Sequence, residues 1–409
     1  MFLRVFAAFL VMTTTATAYT QCHTKTIGGP GASIAPEGSN PIVTAGGKFV
    51  YAGFTQAGQL SLAISSDWGQ TVGTPVTVYS GPGAESLLRL AASGAHVYAL
   101  WQVRKQGVGS LMFVTSDDNG ASGSWTATNL GAFLPNLPQI AADGSHVYVF
   151  YHATDGSMVV RSSADYGRTL SDPVSLGAGA AEPALAAAGL DVYATWTIAD
   201  PRADTMMAVS HDGGKTFKVT ELSAKRPSGS NEPIVTVDKI SGRVSLVWRE
   251  NVPQQGVYLQ SLDHGDTWSA PLVIDEPSRE FMVADDGTYI YVTYLKKVWL
   301  NKAPDWQVQL AVSKDGGKTF QPATNLSGPT RIQRLQDDME RPMPWAWDGN
   351  GAFRVTGVKA DGIYIWNGRN GVVYPSSQAY LGPGNTAAPA MNSVVWRAPN
   401  AFVSYGYCN

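Results

Sequence analysis

Only two cysteines occur in the 409 residues, Cys22 and Cys408. That excludes a multi-disulfide mini-scaffold and a cysteine-based zinc site. Histidine is also sparse, with six in all, and no His or Cys pair has metal-ligand spacing. Charged residues make up only 15%, the net charge is −3, and no basic run or stripe is present, which argues against a nucleic-acid partner. After residue 18 no apolar run reaches the length of a membrane helix, so the chain is expected not to span a membrane by helices. Low-complexity stretches and breaks in composition are missing too, and a single domain is expected over 19–409.

The first eighteen residues have the make-up of a secretory leader. Arg4 supplies the positive start, Val5 to Met12 a short apolar stretch, and Ala16-Thr17-Ala18 a small-x-small cleavage site. Export to a secreted or periplasmic location is the expectation. The two cysteines then fall at opposite ends of the exported chain, in a compartment that permits a Cys22–Cys408 disulfide.

The abundant feature is a repeat. Ser-x-Asp-x-Gly-x-Thr, often closed by Trp or Phe, occurs at Ser65–Thr71, Ser163–Thr169, Ser210–Phe217, Ser261–Trp268 and Ser313–Phe320. A degenerate copy runs from Ser116 through Asp118 and Gly120 to Trp125. The aspartates are Asp67, Asp118, Asp165, Asp212, Asp263 and Asp315, spaced 51, 47, 47, 51 and 52 residues apart. A period near 50 with several strands per unit predicts a β-propeller. Glycine at the fifth position permits the positive φ of a tight turn, and the Ser and Asp side chains can bond that turn's backbone. Each Asp is thereby explained by its own turn, as a structural group.

Four strands can be read in each unit. The second is the plainest: Phe49 to Phe54, His96 to Trp101, His146 to Tyr151, Asp191 to Trp196, Arg243 to Trp248 and Thr288 to Tyr294. Both faces of these strands are apolar, as blades packed between blades require. After Phe320 the motif disappears while strand-like segments continue, which predicts one irregular closing blade over about 330–409. The expected fold is all-β, a single propeller of seven four-stranded blades, with six as the alternative.

At these residues the chain resembles the sialidase-like Asp-box (BNR-repeat) family, over roughly 40 to 326. The resemblance implies that the boxes join third to fourth strands, on the face opposite the ligand site. It covers sialidases, other glycoside hydrolases and proteins without catalysis. The Arg-Ile-Pro motif of the sialidases is not found. The nearest string is Arg331-Ile332-Gln333, and no arginine lies between the leader and Arg89.

The opposite face can be read from the openings of the first strands. Glutamate stands at five of them: Glu85, Glu182, Glu232, Glu280 and Glu340. These carboxylates allow two uses. They can form a polar ring for a ligand, an acid/base pair or a Ca²⁺ ion, although no specific calcium motif is present and no cofactor is expected. Alternatively, each can bond the neighbouring blade's backbone and tighten the ring. Arg104 and Arg249 flank the openings, and Trp299 sits in the longest loop expected, Leu295 to Asp305. Each second strand also ends in an aromatic, which serves either sugar stacking or packing between blades. The functional expectation is a propeller that binds a glycan or cell-surface ligand on this axial face. The alternative is a glycoside hydrolase using paired axial carboxylates.

Overall fold

The structure is a computed structural model. It describes residues 42–326 apart from breaks at 57–58, 81–83, 106–107, 135–137, 180, 200–201, 225, 227 and 301–302, together with strands at 22–28 and between 345 and 408. Those outer strands, and residues 42, 56, 84–88, 104–105, 108, 300 and 303–305, are described by backbone alone.

Antiparallel sheets, one per repeat, follow each other along the chain. The first holds Ile42–Gly46, Phe49–Gln56, Gln59–Ser65 and Val76–Ser80, and the second Ala84–Ser93, His96–Lys105, Val108–Ser116 and Trp125–Ala132. The third holds Gln139–Asp143, His146–His152, Ser157–Ser163 and Val174–Ala178, and the fourth Ala181–Ala188, Asp191–Ile198, Asp204–Ser210 and Lys218–Glu221. Ser230–Val237, Val244–Glu250, Gln255–Ser261 and Leu272–Val273 form the fifth, and Ser278–Asp285, Ile290–Leu300, Ala303–Ser313 and Thr324–Asn325 the sixth. Within each, neighbours in sequence are neighbours in space, so every sheet is a meander of four strands. First strands of successive sheets meet one another, which places them innermost. This is a β-propeller of about six repeat blades.

One irregular closing blade was expected, and the C-terminal stretch holds two sheets instead. The seventh is built from Trp345–Trp347, Ala352–Lys359, Gly362–Arg369 and Val372–Val373, with Ala379–Gly382 also pairing the third of these. The eighth orders Cys22–Gly28 beside Phe402–Cys408, then Ser393–Ala398, then Ala387–Ala390. Its innermost strand, Ala387–Ala390, meets both the seventh sheet and the first strand of the first sheet. The eighth sheet therefore joins the two ends of the chain. In its outer ladder Cys22 and Cys408 are directly opposed.

The core lies between the sheets because both faces of each second strand are apolar. Tyr98, Leu111 and Phe113 of the second sheet pack on Val147, Val149 and Val159 of the third. Tyr193 and Val209 of the fourth join Val244, Leu246 and Trp248 of the fifth and Val283 and Val292 of the sixth in one cluster. Full burial of each such side chain contributes about 1.5–3 kcal/mol. Polar bonds register the blades as well. Asp143 of the third sheet accepts from Gly189 N at 2.7 Å in the fourth and from Lys239 Nζ at 2.7 Å in the fifth. The buried Arg243 Nε donates to Asp285 Oδ2 at 2.6 Å, tying the fifth sheet to the sixth.

Candidate functional site

The first strands of sheets four, five and six open with the same local distortion. The register slips between Ala181 and Ala184, between Asn231 and Ile234, and between Arg279 and Met282. Inside each slip sits the glutamate: Glu182, Glu232 and Glu280 have φ of 59°, 57° and 58°. A residue with a Cβ pays roughly 1–2 kcal/mol for that left-handed conformation, so its surroundings must hold it there.

The holding bonds run from blade to blade. Glu182 Oε2 accepts from Glu232 N at 2.5 Å and from Thr197 Oγ1 at 3.0 Å. Glu232 Oε2 accepts in turn from Glu280 N at 3.3 Å, while its Oε1 lies 3.3 Å from Arg249 Nη1. Glu280 Oε1 lies 3.1 Å from Arg279 Nε, and the Arg279 guanidinium stacks 4.1 Å over the Trp306 ring. The structure thus brings Glu182, Glu232, Glu280 and Arg249 into one relay across three blades. Of the two uses the sequence allowed, the bonds present are those of the strut between blades. Glu85 and Arg104 lie on strands described by backbone alone, and Glu340 lies outside the described residues.

Trp299 stands apart from this relay. The expected loop from Leu295 to Asp305 is a β-hairpin: its register runs unbroken from Ile290↔Ser313 to Leu300↔Ala303. Cross-strand pairing continues through Lys297↔Trp306, Val298↔Asp305 and Trp299↔Pro304, where a loop was expected. The last hairpin residue paired to the first strand is Lys296, opposite Ser278, and Trp299 lies beyond it. The indole is 66% exposed, and Lys297 Nζ lies 5.5 Å from its ring centroid. Arg104, expected to flank the openings, lies near the end of the strand His96–Lys105.

The aromatics at the ends of second strands belong to the packing. Trp101, Trp196 and Trp248 are fully buried, and Phe54, Tyr151 and Tyr294 nearly so. Around the mouth the sequence offered several charged residues without saying how they pair. Glu250 is fully buried and grips Arg226 through both carboxylate oxygens, with Arg226 Nη2 at 2.9 Å, while Gln255 Nε2 adds a bond of 2.6 Å. Asp204 receives Arg202 Nε at 2.8–2.9 Å and Ser223 Oγ at 3.0 Å. The carboxylates raise the pKa of both guanidinium groups. Arg226–Glu250 and Ser223–Asp204 are 24 and 19 residues apart, too far for a local pattern to pair them, whereas Arg202 and Asp204 are two apart.

Between sheets five and six a groove of about 460 Å³ runs along the outer strands. Its polar end is Asp275, which accepts from Lys296 Nζ at 2.7 Å and from Tyr294 Oη at 2.7 Å. Leu272, Ile274 and Phe320 supply apolar wall. Among the described residues no group of three or more His, Cys, Asp or Glu side chains is arranged to hold a metal ion.

At the opposite end of the blades, each full Asp box closes on itself. In the fourth sheet's box, Asp212 accepts from Ser210 Oγ at 2.8 Å, Lys215 N at 2.9 Å, Thr216 N at 3.0 Å and Thr216 Oγ1 at 2.6 Å. Ser210 Oγ accepts from Gly214 N at 3.0 Å. The serine and threonine bonds recur around Asp67, Asp165, Asp263 and Asp315. The amide three residues on reaches the side chain again only at Asp315, and the backbone carbonyl at Asp67, Asp165 and Asp263. Hydroxyl and amide donors hold Asp263 and Asp315 down at about 2, the Thr267 and Thr319 hydroxyls foremost. The degenerate box differs. Ser116 still accepts from Gly120 N at 3.1 Å, but its hydroxyl pairs with Ser124 at 2.6 Å in place of the carboxylate. One further cluster on this face escaped the sequence reading. Asp191 holds two histidines from adjacent boxes, His211 Nδ1 at 2.7 Å and His264 Nδ1 at 2.8 Å.

No family model matches the chain, and no curated protein sequence matches it. Solved structures do. Prolyl endopeptidases align at 13% identity over 85% of this chain and 50% of theirs, with a TM-score of 0.51, so the chain spans about half their length. YCF48 bound to a D1 peptide aligns at 14% identity over 91% of this chain and 98% of its own, with a TM-score of 0.48. A Trypanosoma rangeli sialidase in complex with the inhibitor DANA aligns at 12% identity over 70% of this chain and 57% of its own, with a TM-score of 0.41. At these identities the likeness shows the propeller fold alone.

Proposed function

We propose that this protein is an exported propeller that binds a glycan or other extracellular ligand on the face opposite its Asp boxes, without turnover by the ring glutamates. The observation that carries this reading is the use already made of those carboxylates. A glycoside hydrolase needs two carboxyl groups facing the scissile bond, one to donate a proton and one to act as nucleophile or base. Here Glu182 and Glu232 accept backbone N–H groups of the next blade, and Glu232 and Glu280 face Arg249 and Arg279. They shape the mouth of the propeller. The hairpin beside it carries the exposed Trp299 with the Lys297 ammonium close by, an apolar ring plus a cation that suits the face and the acidic groups of a sugar.

A glycan array run beside a panel of chromogenic glycosides tests the reading. Binding without hydrolysis is expected, and Trp299→Ala should weaken that binding at least tenfold while leaving the melting temperature within about 1 °C. Hydrolysis lost in Glu182→Gln or Glu232→Gln protein that still folds would transfer the function to the carboxylate pair.

A further inference from the structure

We propose that Cys22 and Cys408 are joined by a disulfide that locks the eighth sheet and ties the two ends of the chain together. Three observations converge on it. The chain has these two cysteines and no others, so the pairing has no competitor within the molecule. The ladder between Cys22–Gly28 and Phe402–Cys408 sets them directly opposite each other, at its first and last residues. Directly opposed residues of antiparallel strands have Cα atoms about 4.5–5.5 Å apart, inside the window of roughly 4.4–6.8 Å that a disulfide spans. The third observation is the place of the ladder in the fold. Among the described strands, Cys22–Gly28 is the outermost of its sheet and pairs with Phe402–Cys408 alone. An edge strand ending in an open ladder frays, and this ladder is where both chain ends are held.

The chemistry balances against a disulfide donor of the thiol-exchange class, as found in oxidising compartments. One cysteine, as thiolate, attacks the donor's disulfide and releases one donor thiolate. The second then attacks the mixed disulfide and releases the other. The protein loses two electrons and two protons, and the donor is reduced to a dithiol. The closed loop takes in nearly the whole chain, so the constraint acts mainly on the unfolded ensemble, where it is largest for long loops.

The experiment uses the full chain exported from an oxidising compartment. It is digested without reduction under alkylating conditions and analysed by mass spectrometry. A cross-linked peptide containing Cys22 and Cys408, lighter by two hydrogens than its reduced halves, is expected. Reduction of the intact protein should lower the melting temperature by about 5 °C for a chain of this size. Amide exchange should rise first at Cys22–Gly28, ahead of the repeat sheets. A Cys22→Ser/Cys408→Ser variant should melt like the reduced protein and ignore the reductant. Two alkylated thiols in the unreduced protein, a link between two copies of the chain, or an equal reductant effect on the double-serine variant would each overturn the proposal.

Discussion

The Asp boxes offer the sharpest quantitative test, and Asp212 is the best position for it. Its carboxylate accepts four bonds, from Ser210 Oγ, Lys215 N, Thr216 N and Thr216 Oγ1. All four donors lie within four residues, so the loss stays local to one turn. Exposed bonds of this kind contribute less than buried ones, because water replaces the lost acceptor. Asp212→Ala should therefore cost about 1–3 kcal/mol in total rather than a full bond energy four times over. Asp212→Asn retains one oxygen acceptor in nearly the same shape, so it should recover half or more of that loss. Urea unfolding at constant m-value measures both variants, with ligand binding measured on each folded protein. Affinity should stay within twofold of the parent. An alanine variant as stable as the parent, or a stable one that no longer binds, would refute the assignment of the boxes to folding.

Acidification should act through the same turns. The carboxyl groups of Asp263 and Asp315 titrate in the fold at about 2, below the ordinary 3.8, held down by the hydroxyls of Thr267 and Thr319. A depressed folded pKa adds stability that is complete above the unfolded value and is lost as pH falls through the folded one, so the melting temperature should drop between about pH 4 and pH 2. His211 is shifted the other way, raised above 6.5 by its bond to Asp191; proton NMR should find its midpoint above that value, and Asp191→Asn should bring it down. Gly167→Ala should cost at least about 1–3 kcal/mol by thermal melting, because φ is +76° and the new Cβ would sit 2.8 Å from Phe113 Cζ. Asp285→Ala strands the buried Arg243 guanidinium between sheets five and six and should cost about 3–5 kcal/mol, whereas replacing both partners with apolar residues should cost less.

The repeat was legible because its physics is local. In Ser-x-Asp-x-Gly-x-Thr every donor and acceptor lies within four residues, so the string reports the turn directly. The positive φ expected at its glycine is present at Gly69, Gly167 and Gly265. The preceding residue takes a positive φ as well, at Trp68, Tyr166 and His264, which the motif did not announce. Second strands were legible for a similar reason, since burial on both faces leaves a continuous apolar run. Their ends were not: whether Leu295 to Asp305 closes as a loop or continues as a hairpin depends on cross-strand pairing.

The candidate site divides along the same line. The sequence determined that Glu182, Glu232 and Glu280 recur at strand openings, on the face away from the boxes. Only the tertiary structure decided which donors they meet there, because the N–H that each of the first two accepts lies 48 or 50 residues along the chain. The same distance rule hid the Asp191 clasp between boxes and the Arg243–Asp285 pair, whose members are 73 and 42 residues apart at their widest. It also governs the cysteines. Composition left each a single possible partner in the chain, and the ladder of the eighth sheet set their backbone positions directly opposite. Local turn chemistry is written in adjacent residues; a bond between blades depends on the ring that brings distant residues together.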